Sequence, residues 1–259
     1  MGRDLVRRAS TVCVVRETAR LEVLMVRRTL DARFMPGMWV FPGGALDDSD
    51  ANPPPAFGPP PVDVWRVAAL REMIEETGIW LTSDGIQEHG VTEDAFGDVI
   101  ASGVMLDPAR LIYFANWITP AVFPIGFDTR FFLAHVDSDT EGAIDGDELI
   151  DLAWVPASEV IDRERRGDWD LAYPTRQTLD LLSDETSVER LTSRLRSIEK
   201  VEPVQPRLLV SESDVRLITP DEPEWDAAEA AQTDPTILQR MTAVLERKGV
   251  VPAEFRHGS

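Results

Sequence analysis

Positions 71 to 80 read REMIEETGIW, placing Glu72, Glu75 and Glu76 within five positions behind Arg71. On a helix of 3.6 residues per turn these three carboxylates leave from one face, spread over about 100°. Like charges stacked this way destabilise a helix by about a few tenths of a kcal/mol per pair unless something compensates them. Hard divalent cations such as Mg²⁺ or Mn²⁺ would, because they prefer oxygen donors. A solvated helix face, relieved by Arg71 reaching Glu75 four positions on, accounts for the same pattern without a ligand.

The surrounding elements decide what such a face can meet. Val67, Leu70 and Ile74 cluster on the opposite side, which gives the helix a core to pack on. Asp63 suits its N-cap, the run VWRVAALREMIEET its body and Gly78 its C-cap. Upstream, the apolar piece at 34–48 ends in FPGG, where Gly43 and Gly44 let backbone approach a ligand closely. Six prolines between positions 53 and 61 lack N–H donors and predict an extended surface loop. The runs at 11–15 and 21–28 predict a hairpin, and 111–120, 130–136 and 149–156 three more strands. Helices are expected over 157–166, 175–182 and 187–198, a helical excursion over 84–110, and a late hairpin followed by a last helix beyond 200. Strands, a helix, strands and then helices predict an α+β fold, an α/β/α sandwich around a mixed sheet.

Arg71, Glu72, Met73, Glu75, Glu76, Gly78 and Ile79, together with FPGG, resemble the signature of the Nudix hydrolase family. That signature is a glycine, five residues, a Glu, seven residues, then Arg-Glu-aliphatic-x-Glu-Glu-x-Gly-aliphatic. The second half matches without a gap. In the first half the step from Gly44 to Arg71 is 27 instead of fourteen, so 13 residues are inserted. The upstream Glu is missing, with Asp47, Asp48 or Asp50 as stand-ins. The resemblance implies hydrolysis of a nucleoside diphosphate derivative with Mg²⁺ or Mn²⁺. It implies Glu72, Glu75 and Glu76 as metal ligands, the Gly43 carbonyl as a further one, and Arg71 as the residue orienting them. A carboxylate from a later loop often joins in; in EGAIDGDELIDLAWV, Glu148 is the first choice, with Asp147 and Glu141 behind it, and a simple acidic turn is the plain alternative.

A finer likeness over 10–165 is to the branch containing the peroxisomal acyl-CoA diphosphatase. It rests on the insertion after FPGG, on WITP (117–120) and on FDTRFFLA (127–134). It implies coenzyme A or its thioesters as substrate, cut to 3′,5′-ADP and a phosphopantetheine. ADP-ribose or a nucleotide sugar is the alternative, and a nucleotide-binding module without turnover a second. The segment does depart from that branch, since Ile125 and Gly126 stand where basic residues are expected. Gly43, Gly44, Arg130 and Trp117 are candidate substrate contacts, although an ion pair for Arg130 and a core position for Trp117 explain them as well. Arg27 and Arg28 end a strand near FPGG, where one could touch substrate.

Composition narrows the partners. Forty-six Asp and Glu against 26 Lys and Arg give a formal charge of −20, which repels a nucleic-acid backbone. With 43% hydrophobic residues the 259-residue chain can bury a large core. Cys13 is the only cysteine and stands in TVCVV, where it reads as a buried, inert thiol; a Cys-based metal site is excluded. No apolar run approaches the roughly 20 residues of a membrane helix, and no secretory pattern follows the charged start, so a cytoplasmic protein is expected. The domain expected is 1–200, with insertions at about 49–62 and 84–110, followed by an extension over 201–259. Oligomerisation is left open.

Overall fold

The computed structural model describes residues 6–32, 35–58, 61–123 and 125–247. Phe34, two of the loop prolines (59 and 60) and the 248–259 end of the expected extension therefore lie outside the described residues. In chain order the strands are β1 (Val6–Glu17), β2 (Leu21–Arg28), β3 (Trp39–Val40), β4 (Gly43–Ala45), β5 (Ile79–Thr82), β6 (Gly85–Glu88), β7 (Ile112–Ile118), β8 (Gly126–His135), β9 (Leu149–Val155), β10 (Pro203–Val204), β11 (Arg207–Val210) and β12 (Val215–Ile218). The helices are α1 (Val64–Thr77), α2 (Ala95–Ser102), α3 (Ala157–Arg165), α4 (Tyr173–Ser183), α5 (Val188–Arg196), α6 (Trp225–Ala231) and α7 (Ile237–Arg247).

Among the described residues eight strands form one mixed sheet, in the order β10-β7-β8-β1-β2-β3, with β4 on β1 and β9 on β2. β1 runs parallel to β8 over ten residue pairs and antiparallel to β2 over three. Beyond Val15 and Val23 those two strands part. The chain at 39–45 fills the split: Val40 pairs with Val26 of β2, and Gly43 and Gly44 pair with Thr11 and Ser10 of β1. The tandem glycines of FPGG are thereby held at the mouth of the split.

Alternation along the strands builds two cores. Val12, Val14, Leu24, Phe132 and Ala134 face α1, whose Val67, Leu70, Met73 and Ile74 are fully buried against them. Cys13, Val15, Val23, Met25, Phe131 and Leu133 face α3, α4 and α5. The expected sandwich around a mixed sheet is thus the observed fold. Burial pushes the Cys13 thiol above its ordinary range, in keeping with an inert core residue. A third core joins the β11–β12 hairpin to α7 through Leu208, Val210, Ile237, Met241 and Val244, with Val122 and Phe123 packed on it.

The proline-rich segment differs from the extended surface loop its composition predicts. It contains 3-10 turns at Asp48–Ala51 and Pro55–Phe57, and Phe57 is fully buried. The phenyl ring of Phe57 meets Phe96 of α2 edge-on at 4.8 Å, and Leu106 N–H donates to the Ala56 carbonyl at 2.7 Å. One large apolar residue among the prolines outweighs their preference for solvent. The two insertions therefore pack on each other and on α1. Phe57→Ala is expected to cost about 3–5 kcal/mol, measured as the fall in unfolding free energy in urea; a loss below about 1 kcal/mol would show that this packing does not hold the lobe.

Candidate active site

Helix α1 is anchored at both ends by the residues expected there. The Asp63 carboxylate accepts the Trp65 N–H at 3.1 Å, and Ser10 Oγ of β1 donates to the Trp65 carbonyl at 2.7 Å. Gly78 closes the helix in the left-handed region at φ 65°, which a side chain would strain, and its N–H reaches the Ile74 carbonyl. With both ends fixed, the last turn and a half lies against Gly43 and Gly44.

Arg71 is the hub. Its Nε and Nη2 grip the two carboxylate oxygens of Asp50 at 2.9 and 3.0 Å, and Nη2 also reaches the Ala45 carbonyl. Its Nη1 donates to Glu72 at 2.8 Å and to Glu75 at 3.0 Å. Asp50 is 1% exposed, and its Oδ2 accepts the Asp47 N–H at 2.7 Å as well, so this buried charge is paired and hydrogen-bonded. Burial opposes the Arg71 charge, but Asp50 and Glu72 more than offset it and raise its pKa above the ordinary arginine value.

The carboxylates differ in setting. Burial pushes Glu72 up to about 7 against the pull of Arg71, with Glu75 and Asp50 adding to the rise. Glu75 is also raised by burial, opposed by Arg71 and by the backbone N–H of Ala95, the first residue of α2. Burial and then the charge of Glu72 hold Glu76 well above the usual carboxylate range, while the Gly43 N–H, donating at 2.7 Å, pulls the other way. An added Cβ at Gly44 would lie 2.5 Å from the Glu72 carboxylate and push it aside, while one at Gly43 would run into the Ser10 backbone carbonyl.

The donor set fits a divalent cation. Three carboxylates are desolvated together, and the charge of Glu75 raises the proton affinity of Glu72 as that of Glu72 raises the proton affinity of Glu76, a cost a cation would remove. As the side chains lie, no three acidic, histidine or cysteine groups among the described residues converge as a cage. Glu72 and Glu75 turn toward Arg71, and Glu76 toward Gly43.

The sequence model of the NUDIX domain matches residues 6–177. The chain belongs to the NUDIX family. It is 31% identical over 189 residues to "Putative nudix hydrolase 7" of Caenorhabditis elegans, a match covering 68% of this chain and 60% of that protein's length. It is 32% identical to the crystal structure of a NUDIX hydrolase from Alicyclobacillus acidocaldarius, with a TM-score of 0.62, covering 73% of this chain and 96% of that one.

Within this NUDIX chain the structure brings together Arg71, Glu72, Glu75, Glu76, Gly43, Gly44 and Glu148. Glu148 comes from the loop before β9: its carboxylate meets Arg28 Nη2 at 3.2 Å, and its charge is felt at Glu76. Glu141 is held elsewhere by Arg16 at 3.2 Å, and its carbonyl accepts the Trp154 indole N–H. Arg130 engages the first turn of α1 instead of its carboxylate end, with its guanidinium 4.3 Å from the Trp65 ring centre and 3.8 Å from Asp63. Trp117 lies on the opposite face of the sheet, packed edge-on against Tyr173 at 5.8 Å. Those two candidates are not gathered at the carboxylates. Of the three stand-ins for the missing Glu, Asp50 alone grips Arg71. A signal for it was present, since Asp50 stands six positions after Gly44, where the NUDIX signature has its Glu. The extra 13 residues therefore fall between Asp50 and Arg71.

Proposed function

We propose that the protein is a metal-dependent diphosphatase acting on nucleoside diphosphate derivatives, with coenzyme A or an acyl-CoA as the favoured substrate. The observation carrying the reading is the set of three desolvated carboxylates, two of them held by an Arg71 that a buried Asp50 grips, beside Gly43, where backbone leaves no space for a side chain. A binding module without turnover would gain nothing from concentrating charge at that cost.

Glu72, Glu75 and Glu76 would hold the cations, and the Gly43 carbonyl is a further candidate ligand. Divalent Mg²⁺ or Mn²⁺ would supply neutralisation of the diphosphate and activation of water. Arg71, clamped by Asp50, keeps Glu72 and Glu75 from splaying apart. Glu148 is the candidate general base, taking a proton from the attacking water, and Arg28 beside it offers a positive charge to an anionic substrate. The coenzyme A preference is supported by WITP at 117–120, FDTRFFLA at 127–134 and the insertion before α1.

The test is a panel of CoA, acetyl-CoA, ADP-ribose, NADH and diadenosine polyphosphates with Mg²⁺ or Mn²⁺, with products identified by mass. Release of 3′,5′-ADP from the CoA compounds alone is expected. Cleavage of other compounds without 3′,5′-ADP removes the substrate preference. No phosphate product from any of them removes the diphosphatase reading.

A further inference from the structure

We infer that Asp145 is a positioning residue that sets Glu148 for its part in the reaction. The inference rests on the proposed role of Glu148. The loop at 137–148 is largely exposed, and an exposed glutamate on a loop samples many positions unless backbone bonds fix it. Here the Asp145 carboxylate accepts three consecutive backbone N–H groups: Asp147 at 3.0 Å and Leu149 at 3.2 Å on Oδ1, and Glu148 at 3.3 Å on Oδ2. Gly146 takes a positive φ of 83° inside this turn, and its N–H reaches the Leu149 carbonyl at 3.1 Å.

Two independent features point the same way. The Glu148 carbonyl accepts the Thr29 N–H at 2.9 Å, which locks the loop to the end of β2. The β2–β9 ladder then shifts register, Arg27 facing Asp151 and Arg28 facing Leu149, so Ile150 is an extra residue two positions after Glu148. Such bulges re-aim side chains beside active sites. Together the turn, the lock and the bulge deliver the Glu148 carboxylate to Arg28 at 3.2 Å. Slight burial works against the Asp145 charge, but the three N–H donors prevail and hold it below the ordinary carboxylate range.

The experiment is a double-mutant cycle on the full chain with the best substrate of the panel. Asp145→Ala is expected to lower kcat about ten- to a hundredfold, the scale of a side chain misplaced by about an ångström, with KM and the melting temperature little changed. Asp145→Asn keeps an Oδ1 acceptor for the Asp147 and Leu149 N–H groups, so its kcat should stay within about threefold of wild type. Glu148→Gln should lose more than Asp145→Ala, and the double variant no more than Glu148→Gln alone, because both act through one group. The inference is overturned if Asp145→Ala turns over like wild type, if its melting temperature falls in step with its activity, or if the double loss equals the product of the single losses. Full turnover by Glu148→Gln overturns it together with the role of Glu148. A wild-type protein inactive on the whole panel fails the diphosphatase reading, an outcome distinct from an active wild type indifferent to position 145.

Discussion

Glu76→Gln is expected to fold and to lose hydrolysis by about 10²–10³-fold or more, the scale set by removing one charge-stabilising group from a transition state. Glutamine keeps an acceptor for the Gly43 N–H but has no charge to offer a cation. Glu76 also carries the clearest stability cost of the three carboxylates. Its folded-state proton affinity is raised by burial and by Glu72, so the favourable protonated form is present at low pH and is lost as pH rises through the raised value. At neutral pH the glutamine variant should therefore melt at or above the wild-type temperature. Glu75→Gln should lose activity similarly. Its stability gain should be smaller, because Arg71 at 3.0 Å already compensates part of that charge. Calorimetry together with turnover in Mg²⁺ or Mn²⁺ measures both effects. Full activity in both variants would remove the metal-ligand assignment.

Asp50→Ala should be the most destabilising single change at the site. It strips a fully buried carboxylate from both forks of Arg71 and leaves a cation that is mostly buried and short of its bidentate partner. Breaking one side of such a pair costs about 3–5 kcal/mol, a large part of a total stability of about 5–15 kcal/mol. Arg71 then keeps the Ala45 carbonyl but has only Glu72 and Glu75 as charged partners among the described residues, and pulling them inward should lower kcat as well. Asp50→Glu is the informative companion: it restores the family's residue type with one methylene more, in a site already closed around aspartate. It should recover activity better than alanine, and most of the lost stability only if the turn at Asp48–Ala51 can shift to admit it. Equal unfolding free energies for Asp50→Ala and wild type in urea would mean that Asp50 is not the partner on which Arg71 depends.

These expectations draw unequally on sequence and structure. Helix α1 was legible because its signals are local: a capping aspartate, a 3.6-residue apolar stripe and a terminal glycine. The same locality made the shared face of Glu72, Glu75 and Glu76 readable from spacing alone. The long strands of the central sheet, β1, β2, β7, β8 and β9, were legible in place, if not in length, since β1 begins at Val6 and β8 at Gly126, earlier than their apolar runs suggest, whereas the short β10 left no signal. Their outer parts are polar and hold strand geometry by pairing with each other, a long-range property. The proline-rich segment departs from what its composition predicts for a related reason. Its composition speaks for solvent, but the burial of Phe57 is a contact with Phe96, 39 positions away.

By itself the sequence determined the carboxylate helix, the glycine pair before it, the layered α+β class and the family to which they belong, because each is written in local patterns of residues and in the order of those patterns along the chain. Which aspartate completes the site, which loop acid reaches it, and that Arg130 and Trp117 stand apart from it were decided only by tertiary structure. Those outcomes depend on where the sheet splits, on two insertions meeting over α1 and on a bulge after Glu148, and each is set by contacts between residues distant in the chain.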